Sequence, residues 1–393
     1  MRAVINSRKN FQSQAHCLIN LAILILTLRI QYLVWVLTRR IYIVLTNNLI
    51  ELNSNENSLG MAKSAKQAVI DSLDIGFRYP DDQRAALISR IADINGVTES
   101  QISLGCGSSE NIRTVVQMLQ NKALRESKNF QVIVPHPTFA YAELYATSID
   151  VPVVKVPLTP ESYSLDLQNM QKVADDFDGI SLFYLCNPNN PTATITDTNK
   201  LKEWVGSAPD NHYFLLDEAY SEYVTDPSFE SGVTWIREQH SDNIVVVRTF
   251  SKLCALAGMR VGYAVASPQM IAKLEAFISI DNTNLSGAVA ALATLDDEKF
   301  LALSLQTANQ SRQLVEQTLD ELGLRYLPSQ ASFIFHEIKG DVQTYIDRMR
   351  EHGIAVGREF APITGFNRLT LGRPDEMAVF VEVLKSFREK GWV

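Results

Sequence analysis

The stretch Gly179-Ile-Ser-Leu-Phe-Tyr-Leu-Cys186 decides the fold class, together with the turn Asn187-Pro-Asn-Asn190 directly behind it. A short apolar run that ends in a turn is typical of a strand buried on both faces. Helical periodicity precedes or separates such runs, as at residues 108–124. The sequence therefore predicts an α/β fold with a large, mostly parallel sheet that helices cover on both faces. The same strand pattern recurs at residues 131–135, 151–158, 212–216 and 243–247.

The C-terminal part of the chain has a different pattern. Helix-like segments at residues 300–322, 341–352 and 375–388 alternate with strand-like segments at residues 331–338 and 368–371. We expect these segments to form a smaller α+β domain. The predicted organisation is an apolar leader at residues 1–46, an N-terminal arm at 47–75 that belongs to the small domain, a large domain at 76–295 and a small C-terminal domain at 296–393.

Composition excludes several classes of protein. Of the 393 residues, 46% are hydrophobic and 20% are charged, which is ordinary for a globular protein with a sizeable core. The net charge of −8 gives no electrostatic reason to expect a nucleic-acid partner. The four cysteines, Cys17, Cys106, Cys186 and Cys254, match neither a zinc pattern nor a disulfide framework. We therefore expect no metal site, and reduced thiols in a cytoplasmic protein.

The N-terminal leader leaves two interpretations open. Basic residues precede an apolar stretch at residues 17–46, as in a signal peptide or a membrane anchor. Arg29 interrupts that stretch, and no A-x-A-like cleavage site follows it. One interpretation is a chain that is anchored or exported through residues 17–46, which is the only case in which we expect membrane contact. The other is an artefactual start, upstream of a native one near Asn47.

A lysine follows the predicted strand at residues 243–247, in the segment Thr249-Phe-Ser251-Lys252. A lysine buried at a strand end is costly unless it is neutral or covalently engaged, and a Schiff base would engage it. Arg260 follows among glycines, where it is suited to bind a phosphate. Alone, this lysine would be read as an ordinary loop residue; its neighbours are what indicate cofactor chemistry.

Other polar motifs also fall at strand ends, where ligands bind in a parallel sheet. A buried Asp217 needs a partner, which a protonated pyridine nitrogen would supply; otherwise it caps a helix. Asn190 is either a plain turn residue or a ligand of a ring oxygen. Phe139 is either a core residue or an aromatic face for a ring. The segment Gly105-Cys-Gly-Ser108-Ser109-Glu110 opens a helix, whose N-terminus favours an anion.

Together these motifs resemble the fold-type I, pyridoxal phosphate (PLP)-dependent aminotransferases of class I and II. Within that family they are most similar to the histidinol-phosphate aminotransferases, over about residues 50–393. All the motifs occur in the family's order and spacing. The matching segments are Leu52-Asn-Ser-Asn55-Glu-Asn57, Arg78-Tyr79-Pro80, Gly107-Ser-Ser-Glu110, Pro137-Thr-Phe139, Asn187-Pro-Asn-Asn-Pro-Thr192, Asp217-Glu-Ala-Tyr220, Ser251-Lys252 with Arg260, and Arg368-Leu-Thr-Leu-Gly372.

The resemblance implies a role for each matching residue. Lys252 would form the internal aldimine and move the proton during transfer, while Asp217 would pair with the pyridine nitrogen. Asn190 and Tyr220 would hold the ring oxygen, and Phe139 would stack on the ring. The residues implied for the phosphate and its surroundings are Ser108, Ser109, Glu110, Thr249, Ser251 and Arg260, with Tyr79 from a second subunit of a homodimer. The residues implied for the substrate are Arg368, Asn55 and Arg358.

Four departures from the family pattern bear on the substrate. Asn57 is followed by Ser58 instead of proline, Ala193 stands where the family has glycine, and Phe139 stands where tyrosine is common. The arginine that often follows Gly-Ile-x-Val is shifted by one position, to Arg358. The implied reaction passes an amino group to 2-oxoglutarate from a small amino donor, with L-histidinol phosphate as the best guess.

Three alternatives stay open at this point. An aminotransferase for aromatic or other amino acids would share all of these motifs. A PLP-dependent lyase or decarboxylase on the same fold would also use Lys252, Asp217 and Arg260. A non-catalytic regulator that binds PLP would need an upstream DNA-binding segment, and the first fifty or so residues show no helix-turn-helix pattern.

Overall fold

The computed structural model describes residues 49–239 and 242–393. The described strands, in chain order, are β1 (Ile50–Leu52), β2 (Ile102–Gly105), β3 (Asn129–His136), β4 (Val153–Pro157), β5 (Gly179–Cys186), β6 (His212–Asp217), β7 (Ile244–Thr249), β8 (Gly262–Ala266), β9 (Phe333–Glu337), β10 (Ile354–Val356) and β11 (Phe366–Thr370). The five strands that the apolar runs predict for the sheet are present, and their ends lie within two residues of the predicted ones.

Twelve α-helices accompany these strands in the described part of the chain. They are α1 (Lys63–Ser72), α2 (Asp81–Asn95), α3 (Ser108–Glu126), α4 (Tyr141–Thr147), α5 (Leu167–Asp175), α6 (Thr198–Gly206), α7 (Gly232–Gln239), α8 (Pro268–Glu275), α9 (Leu285–Leu295), α10 (Glu298–Leu322), α11 (Val342–Glu351) and α12 (Pro374–Glu389). Several begin at the acidic or amide N-cap that helices prefer. Asp297 caps α10 by accepting the Phe300 N–H, and Asp341 caps α11 by accepting the Thr344 N–H.

The central sheet has seven strands in the order β2-β8-β7-β6-β5-β3-β4. The pairs from β4 through β7 are parallel, while β8 runs antiparallel to both β7 and β2. The predicted α/β fold with a mostly parallel sheet is confirmed. The pattern did not predict β2 and β8, because strands of four and five residues with glycine at one end give little periodicity.

Alternating side chains of the buried strands feed two separate cores. On β5, Phe183 and Leu185 enter the core on one face of the sheet, while Tyr184 and Cys186 enter the core on the other. All four side chains are at most 1% exposed. Because the sheet is covered on both faces, its strands are mostly apolar, and the polar Gln131 and Ser181 inside them are hydrogen-bonded to each other at 3.0 Å.

The C-terminal part carries two small sheets. β9 and β11 pair antiparallel, with Arg368 opposite Phe335, and β1 pairs with β10. The helices α10 and α12 pack against each other. The predicted division into an arm, a large domain and a small domain stays a prediction, and residues Glu51–Val393 form one compact unit.

The leader at residues 1–46 lies outside the described residues, and so do both interpretations of it. Among the helices of residues 49–239 and 242–393, none combines the length and apolar character that a membrane crossing needs.

Candidate active site

A cavity of about 540 Å³ opens where β5, β6 and β7 end. Cys186, Asp217 and Thr249 close these three strands and line the cavity, because the carboxyl ends of parallel strands meet at one edge. The cavity brings together most of the residues that the sequence predicts for the site. Those are Asn55, Ser108, Ser109, Phe139, Asn190, Asp217, Tyr220, Thr249, Ser251, Lys252, Arg260, Arg358 and Arg368.

Lys252 lies on the loop after β7, half-buried in the cavity. Its Nζ donates to the main-chain oxygen of Asn55 at 2.9 Å. Burial and, next to it, the nearby Arg368 charge lower the pKa of Lys252 to about 8, against the opposing charges of Glu56 and Asp217. A lysine with this pKa is partly uncharged near neutral pH, which nucleophilic attack on a carbonyl requires.

Asp217 is a carboxylate inside the sheet, 2% exposed. Its Oδ2 accepts the Tyr184 hydroxyl at 2.7 Å, and its Oδ1 accepts the Ala219 N–H at 3.1 Å. Burial raises the pKa of Asp217 to about 6, while these two hydrogen bonds and the Lys252 charge oppose the rise. A cationic ring nitrogen beside it would remove the cost of keeping this carboxylate ionised.

An anion-binding cradle forms at the N-terminus of α3. The Arg260 Nη2 donates to the Ser109 hydroxyl at 3.1 Å and to the Cys106 oxygen at 3.3 Å. Gly107 packs against this guanidinium. A Cβ at position 107 would lie 2.3 Å from Nη2, so a side chain there would clash with Arg260. With the dipole of a helix of 19 residues, this donor set suits a phosphate dianion. The predicted phosphate-binding hydroxyls of Ser108, Thr249 and Ser251 also line the cavity.

Asn55 ties the N-terminal arm to the site. Its backbone has a φ of 53°, in the left-handed region, and its side chain is 2% exposed. Its Nδ2 donates to the Tyr220 hydroxyl at 3.1 Å, while its Oδ1 accepts the Thr370 hydroxyl at 3.1 Å. This strained residue therefore connects β11, the arm and a tyrosine of the cavity.

Arg368 projects from β11 into the cavity. Its Nη1 donates to Asn190 Oδ1 at 2.7 Å, and its Nη2 donates to the Asn53 oxygen at 2.8 Å. Its Nε is buried without a hydrogen-bond partner among the described residues. The guanidinium is therefore held in place and keeps unused donor capacity, as a substrate clamp requires.

Arg358 also lines the cavity, although its side chain is exposed. Its guanidinium carbon lies 4.2 Å from the centre of the Phe360 ring, and that of Arg368 lies 5.0 Å from the same ring. Position 357 has no space for a side chain, because a Cβ there would come within 2.2 Å of the Arg368 oxygen. Gly357 therefore packs directly against β11, and the arginine of this segment stands at the next position, 358.

Two predicted site residues lie outside this cavity. Glu110 is buried behind the cradle, where it accepts the Cys106 N–H and the Asn282 Nδ2, each at 2.8 Å. It supports the turn before α3 and does not face the cavity, so the geometry does not favour its predicted contact with the cofactor. Tyr79 is 76% exposed on the surface of the chain and does not line the cavity.

Sequence reasoning missed several residues that line the cavity, and also Tyr184, which is buried behind Asp217. Tyr184 had a signal, since a tyrosine in an otherwise apolar buried strand needs a hydrogen-bond partner. Glu56 also lines the cavity, where its charge raises the pKa of Lys252, and its sequence position predicts no such role. Tyr141, Leu144 and Phe360 line the cavity from a helix and a loop, and nothing in their spacing marks them.

The family of the chain follows from comparison with known proteins. The family model for aminotransferase class I and II matches residues 47–384. The chain belongs to the class I and II aminotransferases. The predicted family, aminotransferase activity and PLP cofactor are thereby confirmed.

This aminotransferase is 33% identical to histidinol-phosphate aminotransferase 1 of Idiomarina loihiensis, over 87% of this chain and 90% of that protein. It is 35% identical to an Erwinia carotovora atroseptica protein of known crystal structure, provisionally named a histidinol-phosphate aminotransferase. That structure superposes with a TM-score of 0.84 and covers 88% of this chain and 98% of its own. Histidinol-phosphate aminotransferase of Sinorhizobium meliloti, solved in complex with PLP, superposes with a TM-score of 0.77. It shares the fold at 22% identity, over 87% of this chain and 91% of its own.

The residues of the aminotransferase fit its cofactor. The cradle supplies donors for a phosphate, Asp217 supplies a buried carboxylate, and Lys252 supplies an amine whose pKa is lowered.

Ala193, which replaces the family's glycine, has a φ of 59° and is fully buried. An alanine in the left-handed region costs on the order of 1 kcal/mol, and this loop retains its conformation despite that cost.

Proposed function

We propose that this aminotransferase takes the amino group of L-histidinol phosphate and passes it to 2-oxoglutarate. The observation that carries the proposal is the pair of guanidinium groups, Arg358 and Arg368, at one aromatic ring of the cavity. Two positive charges held this close favour a doubly charged group such as a phosphate. The rest of the proposed substrate, its histidinol part, is inferred from the names of the relatives.

The cofactor would be held by residues that line the cavity. We assign its covalent attachment to Lys252, its ring nitrogen to Asp217 and its ring face to Phe139. When bound, it withdraws electrons from the substrate carbon that carries the amino group. We assign the cofactor's ring oxygen to Asn190 and Tyr220. We assign its phosphate to Ser108, Ser109, Thr249, Ser251 and Arg260.

Proton transfer falls to Lys252. Its Nζ, once free, takes the proton from the substrate's reacting carbon and returns it on the other side of the transfer. A pKa near 8 suits this task, because a general base works best when its pKa lies near the working pH. The Asn55 oxygen, 2.9 Å from Nζ, orients the amine when it is not engaged.

We assign the substrate's anionic groups to Arg358 and Arg368. Arg368, half-buried and fixed by Asn190 and Asn53, would bind the α-carboxylate of an amino acid, or the phosphate of a donor that lacks a carboxylate. Arg358, at the exposed side, would bind the second negative charge, which is either the second charge of a phosphate or the second carboxylate of a dicarboxylic acid. A transaminase binds two substrates in one pocket, and this pair offers both of them an anion site.

A panel of donors tests the substrate. The PLP-loaded enzyme is given L-histidinol phosphate, L-histidinol, L-histidine or L-phenylalanine, with 2-oxoglutarate as acceptor, and kcat/KM is measured for each. We expect L-histidinol phosphate to exceed L-histidinol by about tenfold or more, since the phosphate gains charge-assisted hydrogen bonds. Turnover of phenylalanine without turnover of histidinol phosphate would refute the substrate and favour the aromatic aminotransferase.

Replacing Arg358 with alanine should act selectively. We expect kcat/KM for L-histidinol phosphate and for dicarboxylates to fall about tenfold to a hundredfold, as one charged contact of about 1.5–3 kcal/mol is lost. Donors with a single carboxylate and no phosphate, such as L-phenylalanine, should be little affected. Arg358→Lys keeps the charge and should lose less, while Arg350→Ala, exposed on α11 and outside the cavity lining, is the control. Equal loss for all donors would remove the role in selectivity.

We also propose that the active unit is a homodimer. Residues 70–79 expose five large apolar side chains in one stretch, which are Ile70, Leu73, Ile75, Phe77 and Tyr79, at 59%, 63%, 42%, 77% and 76%. A patch of this kind marks a protein interface. We assign the Tyr79 hydroxyl to the cofactor phosphate of the other subunit.

Hybrid dimers test the exchange of Tyr79. Homodimers of Tyr79→Phe should bind PLP about tenfold more weakly, because one hydrogen bond to a charged group is lost. Mixing Tyr79→Phe with Lys252→Ala chains should restore one site of wild-type affinity and activity per dimer, since that site combines an intact Lys252 with an intact Tyr79. Hybrids without such a site, or an active monomer in sedimentation, would contradict the proposal.

A cytoplasmic location is part of the same proposal. The described cysteines Cys106, Cys186 and Cys254 are free thiols, which suits a reducing compartment. Recovery of the full chain in washed membranes would favour the anchored alternative.

A further inference from the structure

A fully buried tyrosine stands behind the cofactor-facing carboxylate. Tyr184 is 0% exposed on β5, in a core that is otherwise apolar. The register pairs Tyr184 with Leu215 and Cys186 with Asp217, so Tyr184 and Asp217 are diagonal neighbours on one face of the sheet. The Tyr184 hydroxyl bridges that diagonal with a hydrogen bond of 2.7 Å to Asp217 Oδ2.

The Tyr184 hydroxyl is one of two hydrogen-bond donors that hold the Asp217 carboxylate in place. The other is the Ala219 N–H, which donates to Oδ1 at 3.1 Å. Burial raises the pKa of the Tyr184 hydroxyl well above its ordinary value, so it stays a hydrogen-bond donor at any working pH. A phenylalanine would fill the same space in the core, which means that the hydroxyl serves Asp217 and not the packing.

We propose that Tyr184 is a positioning residue, whose hydroxyl keeps the Asp217 carboxylate oriented and ionised for the ring nitrogen of the cofactor. The inference rests on the proposed role of Asp217. A hydrogen bond to the charged form of a carboxylate favours that form. Without it, the carboxylate becomes harder to ionise inside the sheet, and an uncharged Asp217 no longer pairs with a protonated ring.

Other titratable groups around Asp217 bear on any pH effect. Cys186 neighbours it on β5, Glu218 and Tyr220 follow it in the chain, and Lys252 approaches from the loop after β7. Glu218 is neutralised by Arg248 at 2.8 Å. A change in pH dependence is therefore assigned to Asp217 only if it vanishes when Asp217 itself is replaced.

Cofactor binding to the apoprotein is the measurement. The dissociation constant of PLP is determined between pH 5.5 and 8.5 for the wild type, Tyr184→Phe, Asp217→Asn and the double variant. Tyr345→Phe is the matched control, because Tyr345 is 1% exposed and its hydroxyl has no partner among the described residues. Thermal melting of each apoprotein confirms that the variants fold.

We expect Tyr184→Phe to weaken PLP binding about tenfold near pH 6.5, and to move the acid midpoint of binding up by about one pH unit. The double variant should bind like Asp217→Asn, within about twofold, and Tyr345→Phe should match the wild type. Unchanged binding and midpoint in Tyr184→Phe, with Asp217→Asn impaired, would overturn this inference alone. Unchanged binding in Asp217→Asn would overturn the role of Asp217 and the inference with it.

Discussion

Lys252→Ala is expected to abolish both borohydride-trappable cofactor and transamination. Among the described residues that line the cavity, Lys252 is the only lysine, so no second amine replaces it there. Loss of the general base alone costs about 10²–10⁴-fold in rate, and loss of the covalent attachment adds to that. Reduction with borohydride followed by peptide mapping locates any adduct.

The lowered pKa of Lys252 gives this prediction a pH signature. A buried lysine of pKa about 8 has about a tenth of its amine uncharged at pH 7. Covalent capture of PLP should therefore accelerate about tenfold per pH unit up to about pH 8 and then level off. A surface lysine would keep accelerating to above pH 10.

Two variants serve as controls for Lys252. Lys252→Arg keeps the positive charge and should also lose the adduct, while Lys273→Ala, exposed on α8 and outside the cavity lining, should retain it. A reduced adduct on another lysine in Lys252→Ala would show that the assignment is wrong.

Arg368→Ala is expected to depress turnover of every donor that carries a carboxylate or a phosphate. Truncating one partner of a half-buried charged contact costs about 2–5 kcal/mol, which is roughly 30-fold to 4,000-fold in kcat/KM. The truncation also removes the partner of Asn190 Oδ1, which faces the same cavity. Steady-state kinetics with the donor panel measures the loss, and Arg358→Ala provides the contrast of a selective effect.

Arg368→Lys separates charge from geometry. Lysine keeps the charge but cannot form the two parallel hydrogen bonds of a guanidinium, so we expect it to recover only part of the loss. PLP binding should change much less than turnover in both variants, because Arg368 is assigned to the substrate and contacts the cofactor's proposed ligands only through Asn190. A loss confined to a single donor would contradict a shared anion clamp.

The sequence by itself determined the fold class and most of the cofactor site. Strands buried on both faces carry mostly apolar side chains, so the apolar runs of the sequence alone predicted β5, β6 and β7. Because parallel strands end at one edge, motifs far apart in the chain, such as Asn190, Asp217 and Lys252, had to converge there.

Only the tertiary structure decided the contacts made across long separations. The Asn53 oxygen meets Arg368, and the Asn55 oxygen meets Lys252, through the main chain, which no side-chain pattern encodes. The sequence showed that Arg358 is shifted, whereas only the structure shows that Gly357 packs against β11 and that Arg358 lies over the same ring as Arg368. Tyr184 meets Asp217 across a diagonal that depends on the strand register, and register is set by how the whole sheet buries its two faces.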